Sequence, residues 1–174
     1  MIVVSDTTPL NYLVLTGYGE ILPRIFGRIY VPPSVMGELR AGATPAAVRT
    51  WAADPPEWLR IEPVADTFEK SLERLQAGER DALLLYQALS ADLLLMDERA
   101  GRIEAARRRM ALTGTLGVLR IGGRRGFLDI EEAVARLRPT SFHVSPNLLE
   151  TFLEEERYWR SAQPERDAPT PEAD

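Results

Sequence analysis

Two stretches of this chain repeat one design, and that repetition restricts the fold more than any other feature. Ile2, Val3 and Val4 run into Ser5, Asp6, Thr7, Thr8 and Pro9, and Leu93, Leu94, Leu95 and Met96 run into Asp97, Glu98 and Arg99. Each is a short apolar run that ends in an aspartate and opens into residues suited to a helix start, so each reads as a buried strand followed by a helix. Further strand-like runs at Arg28–Val31, Trp58–Val64 and Met110–Thr113 alternate with helical patterns. Such alternation gives βαβ units, and therefore a mostly parallel sheet with helices on both faces. In that architecture the carboxyl ends of all strands share one edge, where ligands and catalytic groups gather. In isolation Asp6 could be no more than a helix cap. Its recurrence as Asp97 favours chemistry.

The helices add acids at the same edge. Pro32, Pro33 and Ser34 start a helix that carries Glu38 about one turn in, and Glu79 and Asp81 stand in the first turn of an apolar helix reaching Leu89. The helix dipole favours acids at such positions, by about 0.3–1 kcal/mol each, so capping competes with function as their explanation. Phe68, Leu72 and Leu75 predict an amphipathic helix over 66–75, and Gly122 to Gly126 predicts a turn. Asp129–Leu137 is a helix with acids first and an arginine in its last turn. Ser145 and Pro146 cap a last helix to about Trp159, whose apolar stripe needs a partner surface in the same domain, a second subunit of a homodimer or another protein. One domain over 1–160 is expected, with a disordered acidic tail at 161–174.

Composition removes several chemistries. The 174 residues contain no cysteine and a single histidine, His143, which excludes thiolate catalysis and cysteine zinc sites and disfavours a Ser-His-Asp triad. Nothing in the sequence resembles a secretion signal or a membrane span, so a cytoplasmic protein is expected. The formal charge is −5, yet eight arginines lie between Arg99 and Arg125 against one acid, Glu104. That cluster is either a phosphate-binding face or a solvated helix surface. Trp51 and Trp58 read as satellite core.

Asp6 and Asp97 come together if their strands are neighbours, with Glu38, Glu79 and Asp81 brought in from helix starts. Two unit charges about 5 Å apart repel by roughly 3 kcal/mol at an effective dielectric of 20, so such a group calls for a cation. A site of carboxylates alone suits Mg²⁺ or Mn²⁺ and phosphate chemistry.

The chain resembles the PIN-domain family, in particular small prokaryotic PIN proteins related to VapC-type toxin ribonucleases. Five blocks carry the resemblance, in the family's order: Val4 to Leu10, Val31 to Leu39, Gly78 to Leu85, Leu95 to Arg102 and Thr113 to Gly117. It implies a three-layer α/β/α sandwich of strand order 3-2-1-4-5. It implies also that Asp6, Glu38, Asp81 and Asp97 are the catalytic and metal-ligating acids, with Glu79 as helper. Asp81 suits the Asp-Ala-Leu register and Glu79 a Gly-Glu habit, and residues two apart on a helix do not share a face. The implied activity is metal-dependent cleavage of RNA by the toxin of a toxin–antitoxin pair, with Arg99, Arg102, Thr113 and Thr115 touching the RNA and an antitoxin as partner. The alternative is an inactive PIN-fold module that binds RNA or protein. Phosphoaspartyl enzymes and receiver domains need a lysine near the site, whereas the single lysine, Lys70, is not at a strand end. Dehalogenase-type enzymes want an acid where this chain has Thr8.

Overall fold

Strand residues here alternate between two cores. In β1 (Val3–Ser5), Val3 faces one buried cluster and Val4 the other, and in β4 (Leu93–Leu95) Leu94 and Leu95 divide in the same way. A period of two with both faces apolar is what a sheet covered by helices on both sides requires. The computed structural model describes residues 1–65, 67 and 69–163. It contains a five-stranded, all-parallel sheet that also includes β2 (Ile29–Val31), β3 (Leu59–Ile61) and β5 (Leu112–Thr113), in the order β3-β2-β1-β4-β5.

The larger core lies beneath α1 (Thr7–Leu15), α2 (Ile21–Phe26), α3 (Pro33–Leu39), α4 (Ala46–Ala53), α7 (Thr115–Arg124), α8 (Ile130–Leu137) and α9 (Pro146–Ser161). The smaller one is closed by α5 (Ala77–Ala88) and α6 (Arg99–Arg107). The result is a three-layer α/β/α sandwich. Trp51 and Trp58 pack at 5.9 Å between ring centroids on the edge of the larger core. His143 is exposed.

Strand order and register deliver the two aspartates to one place. Ser5 pairs with Leu95, and the next amide, Asp6 N–H, donates to Leu95 O at 2.9 Å. Asp6 and Asp97 therefore leave adjacent central strands one residue apart, at the point where the chain order reverses between β1 and β4.

Two expectations from sequence fail, each because tertiary contacts override a local pattern. Among the described residues of 66–75 the expected helix is replaced by a 3₁₀ turn at Lys70–Leu72. Leu72 alone is buried there, and Arg108 holds the segment by donating to Glu69 Oε2 at 2.6 Å and Ser71 Oγ at 3.0 Å. Asp66 and Phe68 lie outside the described residues, as does most of the 161–174 tail, from 164 onward. The turn expected over Gly122–Gly126 is confined to its last two residues, because α7 continues to Arg124. A Cβ at Gly122 would stand 3.1 Å from Leu128 Cδ2, so glycine there admits a close neighbour rather than ending the helix, and the chain turns only at Gly126, with φ 72°.

Candidate active site

Asp6 is the most constrained acid. It is the N-cap residue of α1, and its side chain closes no capping hydrogen bond, although the Thr7 and Thr8 amides lie near enough to favour its charged form. Only 2% of it is exposed. Burial pushes its pKa up to about 7, the amides of Thr7 and Thr8 pull it down, and repulsion from Glu79 and Glu38 adds to the rise.

Glu38 reaches the same place from α3. Its Oε1 accepts the Gly78 amide at 2.8 Å and its Oε2 accepts the Thr7 hydroxyl in a short hydrogen bond. A carboxylate can come this close to the first turn of α5 only because Gly78 lacks a side chain: a Cβ there would lie 2.5 Å from Glu38 Oε2 and 2.8 Å from Thr7 Oγ1. Glu79 is buried beside it, its Oε2 accepting the Gln76 amide at 2.9 Å in a reciprocal capping box. Burial raises the Glu79 pKa, and Glu98 and Glu38 add repulsion.

Asp97 is locked from β5 and α7. Thr115 donates its amide to Oδ1 at 2.9 Å and its hydroxyl to Oδ2 at 2.6 Å. Desolvation still raises the Asp97 pKa, against the pull of these bonds and of Arg102. Gly114 plays here the part that Gly78 plays for Glu38, because a Cβ on it would collide with Asp97 Oδ1. Arg102 donates to Met96 O at 2.8 Å. With Asp97, Arg99, Ile103, Ala106 and Leu112 it lines a trough of about 540 Å³. Ile103 is 54% exposed in it.

Not every candidate joins this group. Asp81 accepts Arg80 Nε at 3.0 Å and faces a separate recess with Pro33, Ser34 and Leu84. Of the two rival acids, the structure brings Glu79 to Asp6. Thr115 is fully buried and its hydroxyl is occupied by Asp97, whereas Thr113 is half-buried with its hydroxyl beside Gly117.

Much of the arginine cluster is engaged elsewhere. Arg107 and Arg108 pair with Glu104, Arg120 with Glu155, Arg124 with Glu156, and Arg125 reaches Ile25 O. Arg99 and Arg102 are the two beside the acids. Thr7, Gly78 and Gly114 are the functional positions that sequence reasoning missed. The spacing of Gln76 and Glu79, a variant of the capping-box pattern, was the one readable sign that Glu79 turns inward.

A family model described as a PIN domain matches residues 2–157. The chain belongs to the PIN-domain family. No curated protein and no solved structure matches it significantly. PIN membership makes this a nuclease-type fold associated with nucleic-acid binding, and the acid-lined edge lies where such a fold carries its ligands. Among the described residues no helix is long and apolar enough to cross a membrane.

The donor set of this PIN domain is hard oxygen only. Among the described residues no three carboxylates converge closely enough to ligate one ion together. Mg²⁺ is commonly held by one or two carboxylates, with waters and substrate phosphate filling the remaining positions, so Asp6 and Asp97 with Glu38 and Glu79 nearby fit it by chemical type.

Proposed function

We propose that the protein is a metal-dependent endoribonuclease. The observation that carries this reading is Asp6, an acid almost wholly removed from water, with no cationic partner among the described residues and with Glu38 and Glu79 as charged neighbours. Placing a carboxyl there has a cost that a divalent cation offsets.

Asp6 and Asp97 would hold Mg²⁺ or Mn²⁺, and Glu38 and Glu79 beside them would orient water. When bound, the metal supplies Lewis-acid activation of water and stabilises the leaving oxygen. Thr7 and Gly78 keep Glu38 from swinging away, and Thr115 does the same for Asp97. Arg102 and Arg99 hold phosphate oxygens along the trough, where Ile103 offers an apolar surface to a sugar or base. In the hydrolysis a water oxygen forms the new bond to phosphorus, its proton passes to solvent or a carboxylate, and the bond from phosphorus to the ester oxygen breaks. Asp81 lies outside this machinery.

The biological reading that goes with it is the toxin of a toxin–antitoxin pair, with an antitoxin protein as partner. The rival, an inactive PIN-fold module that binds RNA or protein, draws on the loose spacing of the acids. Purified protein incubated with structured and single-stranded RNAs separates the two. Cleavage that requires Mg²⁺ or Mn²⁺, stops with chelator and is lost in Asp97→Asn is expected. Cleavage that survives chelation contradicts the mechanism, and metal-independent binding without cleavage favours the module. Induced expression should arrest growth, and Asp6→Asn should abolish the arrest.

A further inference from the structure

The recess that takes Asp81 lies beside the acid group. It opens where α3 and α5 begin, is lined by Pro33, Ser34, Val64, Arg80, Asp81 and Leu84, and has a volume of about 280 Å³. Ser34 Oγ lies 3.5 Å from Ala77 O, next to the Gly78 amide that holds Glu38. Ser34 and Glu38 are four residues apart on one helix, about 6 Å at a rise of 1.5 Å per residue. Successive nucleotides of one strand can therefore occupy the recess and the acid group together.

The chemistry of the recess is selective. Pro33, Val64 and Leu84 form apolar walls suited to the faces of a flat ring, and the volume admits one base rather than a segment of protein. Asp81 is 21% exposed, and its Oδ1 accepts one bond, from Arg80 Nε, which leaves that oxygen a second lone pair. Its Oδ2 has no partner among the described residues. An ionised carboxylate only accepts hydrogen bonds, and it can accept two parallel ones. Guanine presents N1–H and an N2 amino proton side by side on its Watson–Crick edge. Cytosine and adenine offer one amino group there, and uracil one N–H.

We infer that this recess is a base-reading subsite and that Asp81 selects guanine at the nucleotide beside the cleaved phosphate. Unpaired RNA is read on this edge. The inference rests on the nuclease reading for its supply of RNA, and it gives Asp81 a role that ligation of metal does not.

The test uses the full chain and two sets of single-stranded oligonucleotides, one carrying guanosine and the other inosine, which lacks the 2-amino group. Binding is followed by fluorescence anisotropy with chelator present, and cleavage is followed separately with Mn²⁺. The wild type should bind the guanosine set about tenfold more tightly, the scale of one hydrogen bond to a charged group, and Asp81→Asn should lose that preference. Should that variant fail to fold, guanosine against inosine on the wild type still decides. Cleavage without discrimination between the two sets overturns the inference while leaving the nuclease reading intact. Discrimination in binding without cleavage keeps the subsite and removes the nuclease. No RNA binding at all overturns both.

Discussion

Asp6 sets the electrostatic behaviour of the metal-free protein. Its pKa is 3.8 for the free side chain and about 7 in the fold, so between these values the folded state holds a proton that the unfolded state releases. Stability from this group is therefore fully present below about pH 4 and is lost as pH rises through about 7, and the raised Asp97 and Glu79 act in the same direction. Urea unfolding with chelator from pH 5 to 8 should show the wild type weakening by a few kcal/mol, while Asp6→Asn is flatter and more stable at pH 8. A variant that is markedly less stable throughout would mean that Asp6 is a cap. Gly78 makes a second test, because its backbone is unstrained helix and the nearest obstacles to a side chain are Glu38 and Thr7. Gly78→Ala gains up to about 1 kcal/mol of helix propensity. It should nevertheless lower RNA cleavage by tenfold or more with little change in melting temperature, and unchanged cleavage would show that the held position of Glu38 is unimportant.

Single elements were legible in the sequence where a residue's role is local, and illegible where it depends on a distant partner. Asp6 and Asp97 could be read because a strand end followed by a helix start fixes their location. The clasp of Thr7 and Gly78 on Glu38 could not, since Gly78 lies 40 residues from Glu38 and only the packing of α3 on α5 joins them. Choosing between Glu79 and Asp81 requires the phase of α5 against the sheet. Glu79 shares its face with the fully buried Ala82 and Leu83, whereas Asp81 shares its face with Leu84 on the outer recess. The arginine cluster could not be resolved from sequence for the same reason, because half of it pairs across elements. In α9, Glu156 is 4% exposed and accepts Arg124 Nη2 at 2.9 Å, with Arg120 Nε at 2.7 Å from the same oxygen. Arg124 also stacks on Trp159 and Arg120 on Phe152. Glu156→Ala leaves Arg124 unpaired and Arg120 with Glu155 alone, and should cost roughly 1–3 kcal/mol in chemical denaturation. A chain ending at His143 should lose stability or solubility outright, whereas one ending at Ser161 should melt like the full chain. Equal melting of all three would make α9 an undocked appendage.

At the scale of the molecule, a parallel sheet brings two strand-end aspartates together, and helices supply two more acids held by backbone amides, hydroxyls and glycine gaps. Asp6, Glu38, Glu79 and Asp97 lie at one edge, and Arg99 and Arg102 line the trough beside Asp97. The account stands on that edge holding a divalent cation. Calorimetric titration of the full chain with Mn²⁺ at pH 6 and pH 8.5, in buffers of different ionisation enthalpy, tests this most directly. The account predicts saturable Mn²⁺ binding to the wild type, more protons released per ion at pH 6 than at pH 8.5, and binding lost in Asp6→Asn and Asp97→Asn. No binding to the wild type, or equal binding to both variants, would contradict it.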